Sequence, residues 1–281
     1  MHEIALVPHA RLPRAYHDRH VLGSTVDAFG AAHWLLAERA PEPGDDLHPF
    51  DALVVSVHDG GAVETTELSG VRTRWPKLDR LPDGGFVVAS ARDRRGDEKS
   101  QVQVFDALGR ETWTFPVGDA IEHLLVDEAG DLWVGHFDEN PLGIRRWSAT
   151  GELLWASEDD PGAGWITDCY ALNVSGTGAW ACPYVDFPLL EIRPGQDVRR
   201  RTGIGRGADS LAVHGERVAF LDHGRIVHGE MTGSSVERRD VALLTRPEGG
   251  PVGRRRVAAR GSRIYVGYGP LTEWGVFDLS A

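Results

Sequence analysis

Residues 121–135 read Ile-Glu-His-Leu-Leu-Val-Asp-Glu-Ala-Gly-Asp-Leu-Trp-Val-Gly. Two apolar runs flank a short polar segment that contains a glycine, and this pattern predicts two antiparallel strands joined by a tight turn. The same outline recurs five more times, around residues 29–36, 81–89, 174–182, 213–221 and 259–267. The residues that align in the second strand of each copy are Trp34, Phe86, Leu132, Ala179, Val218 and Ile264. The chain is therefore built from repeated hairpins.

The spacing of these repeats indicates the fold class. Successive copies lie 52, 46, 47, 39 and 46 residues apart, and a strand repeat of about 40 to 50 residues is typical of β-propeller blades. Six blades of about 45 residues use the whole chain of 281 residues. We therefore predict an all-β fold in which residues 1–281 form a single six-bladed β-propeller domain.

The last repeat has one strand fewer than the others. After Gly253 the sequence provides a hairpin and one more apolar strand, at residues 274–279. An open sheet edge invites aggregation, so we expect another strand to cover it. The unassigned apolar segment at residues 3–7, Glu-Ile-Ala-Leu-Val, predicts that an N-terminal strand pairs with residues 274–279 and closes the ring in the last blade.

Composition narrows the range of partners. The chain carries 30 basic and 42 acidic residues, a net charge of -12, which disfavours nucleic acid because that affinity comes from neutralising phosphates. No apolar run approaches the roughly 18 residues of a membrane span, and the N-terminus lacks the basic start and apolar core of a signal peptide. We expect a cytoplasmic protein without a nucleic-acid or membrane partner. If Val174 pairs with Ala179, the hairpin register offsets the two cysteines, Cys169 and Cys182, so we expect no disulfide between them.

Several segments resemble known propellers. Residues 127–135 resemble the D-x-x-G-x-[LI]-W-[VI]-G repeat of bacterial sensor propellers, and the wider repeat resembles the six-bladed gluconolactonase, NHL and strictosidine-synthase-like group. Residues 168–174 and 186–189 are similar to segments of uncharacterised actinobacterial propellers, which implies no known chemistry.

Residues 207–213 are similar to the D-G-[ML]-[AT]-V segment of gluconolactonase-type enzymes, with Ser210 in place of Gly. In that family the aspartate binds a divalent metal on the channel axis, so the resemblance implies that Asp209 is a metal ligand. The family's asparagine ligand would fall near residues 168–170, where no Asn stands, and its N-terminal glutamate has no match.

In a propeller the first strand of each blade lines a central channel, and loops at one rim of that channel carry function. Aligning the repeats places six residues at one level of these strands: Thr25, Lys77, Glu122, Tyr170, Asp209 and Arg255. We expect the hairpins to pair Val126 with Leu132, Val213 with Val218, and Ala259 with Ile264. This register predicts three cross-strand neighbours: His136 beside Glu122, Asp222 beside Asp209, and Tyr268 beside Arg255. Arg92 lies on a loop at the same rim.

These neighbours indicate possible chemistry. Directly opposed residues have Cβ atoms about 5 Å apart, so Asp209 and Asp222 repel unless a cation, a base or a shared proton compensates them. Glu122 beside His136 is either an acid/base pair or half of a metal site. We therefore predict catalytic roles for Glu122, His136, Asp209 and Asp222.

A divalent metal is one way to compensate the carboxylates. Its ligands would be Glu122, Asp209 and Asp222, whose oxygens suit calcium, magnesium or manganese, and a histidine ligand shifts the choice toward manganese or zinc. The alternative needs no metal, because Lys77 and Arg255 would neutralise the carboxylates. A third interpretation gives the ring only structural or solvated roles, with water filling the channel.

The sequence supports two classes of function. The first is a small-molecule-binding propeller, an enzyme of the hydrolase, lactonase or lyase type, with a polar site at the channel mouth. Its predicted substrate-binding residues are Lys77, Arg92, Tyr170, Arg255 and Tyr268. The second is a non-catalytic scaffold whose rim loops bind a protein partner. A concave pocket with convergent polar groups would favour the first class, and an exposed apolar patch would favour the second. No H-E-x-x-H, G-x-S-x-G, Walker or C-x-x-C motif narrows the chemistry.

Overall fold

The computed structural model describes residues 2–40, 49–73, 75–92, 101–253 and 256–281. Within these ranges the chain forms 25 strands, three short 3₁₀ turns and no α-helix, so the predicted all-β class is confirmed. None of the described helical segments has the length and apolar character that a membrane span requires. The strands, in chain order, are β1 (His2–Ala5), β2 (Val7–Arg11), β3 (His20–Val26), β4 (Ala32–Ala37), β5 (Phe50–Val57), β6 (Val63–Val71), β7 (Pro76–Arg80), β8 (Phe86–Ser90), β9 (Val102–Phe105), β10 (Glu111–Phe115), β11 (Ile121–Val126), β12 (Leu132–His136), β13 (Ile144–Trp147), β14 (Leu153–Ala156), β15 (Asp168–Ser175), β16 (Gly178–Tyr184), β17 (Leu189–Ile192), β18 (Arg199–Arg201), β19 (Ser210–His214), β20 (Arg217–Asp222), β21 (Arg225–Thr232), β22 (Ser235–Thr245), β23 (Arg256–Arg260), β24 (Arg263–Tyr268) and β25 (Glu273–Asp278).

Hairpin turns explain why the repeats fold as strand pairs. In the turn between β11 and β12, the Asp127 carboxylate accepts hydrogen bonds from the amides of Ala129 and Asp131, at 2.9 and 3.1 Å. Gly130 adopts a φ of 95°, a conformation that residues with a Cβ rarely accept. Asp27 accepts two amide hydrogen bonds in the same way in the turn between β3 and β4. An aspartate that bonds its own turn is thus the local signal that starts these hairpins.

Consecutive strands within each repeat pair antiparallel, and the described strands form five sheets. Three of these sheets have four strands each, in the orders β3-β4-β5-β6, β7-β8-β9-β10 and β11-β12-β13-β14. In a fourth sheet, β19 to β22 pair in sequence, and β1 adds a parallel strand beside β22. The fifth sheet has eight strands, because β15 to β18 join β23, β24, β25 and β2 through a single parallel bridge between Val174 and Arg260.

The first strands of these groups lie side by side. β3 contacts β7, β7 contacts β11, and the contacts continue through β15, β19 and β23 and from β23 back to β3. Apolar clusters fill the space between neighbouring groups; one of them joins Val87 and Val104 to Leu124 and Leu132. This packing holds the first strands around a shared space.

The hairpin register matches the prediction at most positions. Four predicted pairs are observed: Val126 with Leu132, Val174 with Ala179, Val213 with Val218, and Ala259 with Ile264. Within these four hairpins, two bulges interrupt the register, one between Ile121 and His123 in β11 and one between Cys169 and Ala171 in β15. Because a bulge adds one residue to a strand, it changes which residues face each other beyond it.

The N-terminal segment pairs in a different register from the predicted one. The sequence predicts residues 3–7 beside residues 274–279, and this assignment is wrong for residues 3–6, although Val7 does pair with β25. Instead β2 pairs antiparallel with β25, with Val7 opposite Val276 and Arg11 opposite Glu273. Residues 2–5, as β1, pair in parallel with residues 242–245 of β22. The physical reason is Leu6, which is buried in the apolar cluster between these two sheets, so that the chain crosses from one sheet to the other at that point.

Arg260 ties together the ends of several first strands. Its guanidinium donates to the Val26 carbonyl at 3.0 Å, to the Val126 carbonyl at 2.9 Å and to the Asp79 carboxylate. Asp79 is fully buried and also accepts a hydrogen bond from the Val126 amide at 2.6 Å. These contacts link β23 to β3, β7 and β11.

Asn173 links a further set of first strands through its side-chain amide. Its side-chain nitrogen donates to the carbonyls of Leu211 and Gly261, both at 2.8 Å. Its side-chain oxygen accepts a hydrogen bond from the Gly261 amide at 2.8 Å. β15 is thereby linked to β19 and to the turn after β23. Arg260 and Asn173 therefore cross-link the first strands at these ends.

Candidate functional site

A cavity of about 910 Å³ lies where the first strands begin. Five of the six residues predicted to share one level line it: Thr25, Lys77, Glu122, Tyr170 and Asp209. The sixth, Arg255, lies outside the described residues. The lining also includes five residues that the sequence did not single out as site residues: Trp75, His123, Phe137, Asp168 and Arg256. A concave site of this size with several polar groups suits a small molecule.

Lys77 bridges two first strands. Its Nζ donates to the Glu122 carbonyl oxygen at 2.6 Å and lies 3.9 Å from Glu122 Oε1. Burial lowers the pKa of Lys77, the Glu122 carboxylate opposes this effect, and the positive charge of Arg256 adds to it. Arg256 in turn donates to Ser24 Oγ at 3.3 Å and to the Leu22 carbonyl at 3.1 Å. The cavity therefore holds two cationic side chains near a carboxylate.

His123 is an additional titratable group in the cavity wall. Its Nε2 lies 3.0 Å from the Cys169 carbonyl oxygen and 3.2 Å from the Tyr170 carbonyl oxygen, so this nitrogen carries the proton. Burial lowers the pKa of His123, although the neighbouring Glu122 carboxylate raises it. The bulge in β11 brings both Glu122 and His123 to the cavity, which the alternation of a regular strand does not predict.

His136 does not join Glu122, and that prediction is wrong. The bulge in β11 places Ile121 opposite His136, and the ring of His136 is fully buried. Its Nδ1 donates to the Asp119 carbonyl oxygen at 2.8 Å, and its Nε2 has no hydrogen-bond partner among the described residues. Burial lowers the pKa of His136 to about 4. His136 is thus a neutral group of the core and lies outside the cavity lining.

Asp209 and Asp222 lie in different environments, although β19 and β20 keep the predicted register. Asp209 lines the cavity. The Asp222 carboxylate lies 2.6 Å from His223 Nδ1 and accepts a hydrogen bond from Arg225 at 2.7 Å. Asp222 is therefore compensated by neighbours in its own turn, which agrees with the expectation that a cation or a base offsets the charge of these carboxylates.

The predicted metal site is not formed. Within the described ranges, no group of three or more His, Cys, Asp or Glu side chains is arranged to hold a metal ion. Of the predicted ligands, Glu122 and Asp209 line the cavity, Asp222 is ion-paired elsewhere and His136 is buried in the core. The residues present do not fit the divalent metal that the gluconolactonase resemblance implies. The contact of Lys77 with Glu122 instead agrees with the alternative in which lysine neutralises a carboxylate.

Tyr268, which was predicted to bind substrate, does not line the cavity. Its ring is buried in the apolar cluster between two sheets, which also contains Leu6, Leu244 and Phe277. Tyr268 pairs with Glu273 on the next strand and is not part of the cavity lining. The side chain therefore contributes to packing between the sheets.

Arg92 supports the cavity wall from the side. Its Nη1 lies 2.8 Å from the Asp138 carboxylate and 3.6 Å from the Asp119 carboxylate. Its guanidinium carbon is 4.4 Å from the centre of the Phe137 ring, a cation–π distance. Phe137 lines the cavity and Arg92 does not, so Arg92 contacts the site by packing against this ring.

Aromatic side chains stand beside the charged groups of the cavity. Tyr170 lines it and packs against Phe187 and Tyr184, with ring centres 5.1 and 6.5 Å apart. Trp75 lines it as well, and its side chain is 50% exposed. The cavity thus offers flat apolar faces together with charges of both signs.

A buried Ser-His-Asp network lies in the sheet of β3 to β6. His33 Nε2 is 2.9 Å from Asp27 Oδ2, and His33 Nδ1 is 2.8 Å from Ser56 Oγ. All three side chains are buried and none lines the cavity. In the sheet of β11 to β14, the Asp127 carboxylate accepts a hydrogen bond from the Trp133 indole at 3.0 Å, again six residues further along. The network is therefore a repeated device that fixes the turn to the second strand, not a nucleophile.

The two cysteines are free and buried, as the register predicts. Burial raises the pKa of the Cys169 thiol well above its usual value, and it raises the pKa of Cys182 to about 12. Because the thiolate is the reactive form, we expect neither cysteine to react with dithiodipyridine in the folded protein at neutral pH. Denaturation should then release two equivalents of thiopyridone. Rapid release of one equivalent from the folded protein would contradict this expectation.

Comparisons with known proteins identify the class of fold. No protein-family model and no curated protein matches the chain. A functionally unknown protein from Desulfotomaculum acetoxidans DSM 771 is similar, with a TM-score of 0.57 and 12% identity, over 93% of this chain and 83% of that one. Hsv2 from Kluyveromyces lactis gives a TM-score of 0.56 at 9% identity, over 93% and 75%. A streptogramin B lyase structure gives 0.50 at 10% identity, over 90% and 77%.

These similarities concern the fold alone, because sequence identity is low and one fold hosts many functions. Hsv2 and streptogramin B lyase are propeller proteins, so the chain has an all-β fold of the β-propeller type. The similarities do not identify a particular family. They also do not test the expected cytoplasmic location or the expected partners, which stay predictions.

Proposed function

We propose that residues 1–281 form one six-bladed β-propeller that binds a small polar molecule in the cavity where the first strands begin. Six groups of strands support the blade count: β3–β6, β7–β10, β11–β14, β15–β18, β19–β22, and β23–β25 with β2. Contacts between β23 and β3 support a closed ring. The pairing of β2 with β25 supports closure by an N-terminal strand in the last blade.

The cavity is the observation that carries this proposal. Its volume of about 910 Å³ falls within the range of about 300–1,000 Å³ that is typical of small-molecule sites. Charged side chains from three different blades, Lys77, Glu122 and Asp209, line it together. At the other ends of the first strands, Arg260 and Asn173 occupy the shared space. The cavity is then a pocket that holds a ligand, not a passage through the ring.

The lining supplies groups for acid/base chemistry. Glu122 and Asp209 are carboxylates, and the neutral imidazole of His123 lies beside Glu122. A hydrolase, lactonase or lyase needs a base that activates water or removes a proton, and an acid that protonates the leaving group. We propose a metal-independent reaction of this kind, with these three groups as acid/base candidates. Lys77, Tyr170 and Arg256 are the proposed substrate contacts.

Asp209→Asn tests the cavity as the binding site. A thermal-shift screen of small polar metabolites should give a ligand that raises the melting temperature of the wild type. Asp209→Asn should then weaken its Kd about tenfold or more, because loss of a charged hydrogen-bonding partner costs about 1.5–3 kcal/mol. Isothermal titration calorimetry measures the change.

Asp222→Asn is the matched control, because it removes a carboxylate that lies outside the cavity lining. It should leave the Kd of the same ligand unchanged. Equal losses in the two variants would argue against the cavity as the binding site. A screen that yields no ligand of any kind would argue against small-molecule binding altogether.

A protein-interaction scaffold is the second candidate function. The observation that favours it is a group of exposed apolar side chains near the cavity mouth: Trp75, Tyr170, Tyr184 and Val185. Exposed aromatic clusters often contribute to protein interfaces. Tyr184→Ser combined with Val185→Ser distinguishes the two functions, since neither residue lines the cavity. A scaffold would lose its partner in this variant, whereas a small-molecule site would keep its ligand affinity.

A further inference from the structure

Lysine is rare in this chain, and one of its two lysines lies in the cavity. The 30 lysine and arginine residues include only Lys77 and Lys99 as lysines. Lys99 lies outside the described residues. Arginine stays protonated in proteins, whereas a buried lysine can lose its proton and act as a nucleophile. Almost all basic residues of the chain are arginines, whereas the cavity contains a lysine, whose side chain is a primary amine.

The amine of Lys77 is positioned and still reaches the cavity. One N–H of Nζ donates to the Glu122 carbonyl oxygen at 2.6 Å, which fixes the direction of the side chain. Lys77 lines the cavity, and its side chain is 30% exposed. Glu122 Oε1 lies 3.9 Å from Nζ, a distance that one bridging water or a small rotation can span for proton transfer. Amine and carboxyl group are thus adjacent in a pocket of small-molecule size.

The surroundings raise the fraction of the amine that is neutral. Burial lowers the pKa of Lys77, and the charge of Arg256 lowers it further, while Glu122 opposes them. The unprotonated amine is the form that attacks a carbonyl carbon. Each unit by which the pKa falls raises the neutral fraction about tenfold at a pH well below that pKa.

We propose that Lys77 is a nucleophilic amine that forms an imine with a small aldehyde or ketone bound in this cavity, an inference that rests on the proposed small-molecule site. The lone pair of Nζ attacks the carbonyl carbon and forms the C–N bond. The π electrons move to the carbonyl oxygen, which takes the proton that the nitrogen releases. The product of this step is a carbinolamine.

Glu122 completes the condensation. Its carboxylate accepts the remaining N–H proton of the nitrogen and passes it to the carbinolamine hydroxyl, which leaves as water while the electrons of the nitrogen form the C=N bond. One molecule of water is released for each imine formed, and no oxidant or reductant takes part. Hydrolysis reverses the same steps and frees the amine.

A purely structural lysine would make the same contacts with Glu122. The two roles differ in reactivity, because Lys77→Arg keeps the positive charge and the donor but removes the nucleophile. Lys99 provides an internal reference, since it is the other lysine of the chain. Comparing the two lysines in one sample removes differences in reagent and concentration.

Reductive trapping tests the proposal on the full-length protein. The protein is incubated separately with glyoxylate, pyruvate, propanal and acetone in the presence of sodium cyanoborohydride, which reduces an imine to a stable secondary amine. Peptide mass spectrometry then measures modification at Lys77 and Lys99. With at least one compound we expect Lys77 to react about tenfold faster than Lys99 at neutral pH, with a rate that saturates with concentration. Lys99→Arg should leave the rate at Lys77 unchanged, and denaturation should equalise the two lysines.

Modification of Lys77 no faster than that of Lys99 with all four compounds would overturn the proposal. This failure is distinct from failure of the proposed small-molecule site. Suppose that Lys77 is unreactive, but a ligand without a carbonyl group binds the wild type and loses affinity in Asp209→Asn. The small-molecule site would then stand, and only the imine would be rejected. An unreactive Lys77 together with an empty ligand screen would reject both.

Discussion

Arg260→Met is expected to lower the free energy of unfolding by about 3–5 kcal/mol, because it leaves a buried carboxylate without its cation. Asp79 is fully buried, and Arg260 is its ion-pair partner. The carbonyls of Val26 and Val126 also lose donors in this variant. Methionine keeps a flexible apolar stem, so the packing of the strand changes little. Chemical denaturation followed by tryptophan fluorescence should show a lower midpoint with an unchanged slope.

Arg263→Met is the matched control for this prediction. Arg263 stands three residues further along and pairs with Asp278 at 2.9 Å, but its side chain is 53% exposed. Exposed ion pairs contribute little, so the variant should lose no more than about 1 kcal/mol. Similar losses in the two variants would contradict the role of Arg260 as the group that ties the first strands together.

The second large effect is a loss of stability in mild acid that arises at His136. Burial lowers the pKa of this ring to about 4 in the folded state, whereas its ordinary value is 6.5. Above pH of about 6.5 the ring is neutral in both states and has no effect. As the pH falls from about 6.5 to about 4, the unfolded chain binds a proton that the folded protein does not bind. The free energy of unfolding should therefore fall, by up to about 3 kcal/mol at the low end.

His136→Gln isolates this contribution. Glutamine can donate to the Asp119 carbonyl oxygen as His136 Nδ1 does, but it does not titrate. Burial also lowers the pKa of His9, His123 and His228, so the wild type and the variant share that part of the acid sensitivity. Denaturant titrations at several pH values should show a wild-type decline that is steeper than the variant's. His214→Gln, at an exposed position, should decline as the wild type does; parallel curves for wild type and His136→Gln would refute the assignment.

The repeat and most of its register could be predicted from the sequence. Asp127 and Gly130 mark the turn between β11 and β12, and the turn fixes which apolar residues of the two strands lie opposite each other. Alignment of the repeats predicted that Lys77, Glu122 and Asp209 lie at the same height on their first strands, and these residues do line one cavity. The local sequence was sufficient to predict these positions, because each of them depends on the turn and register of a single hairpin.

The errors come from features that no single hairpin encodes. The bulge beside Glu122 inserts one residue into β11, and it moves His136 to the core and His123 to the cavity. Arg260 lies in a strand whose pattern does not distinguish it, yet its partners come from three other blades. The N-terminal segment was misplaced because burial of Leu6 depends on how two sheets pack against each other. Tertiary packing, which sequence periodicity does not contain, decides all three.

A crystal structure of the protein with the ligand that gives the largest thermal shift tests the central claim most directly. The account predicts that the ligand lies in the cavity between Lys77, Glu122 and Asp209, in a ring of six blades that is closed by the pairing of β2 with β25. A ligand bound at any other place on the molecule, or a ring with a different number of blades, would contradict it.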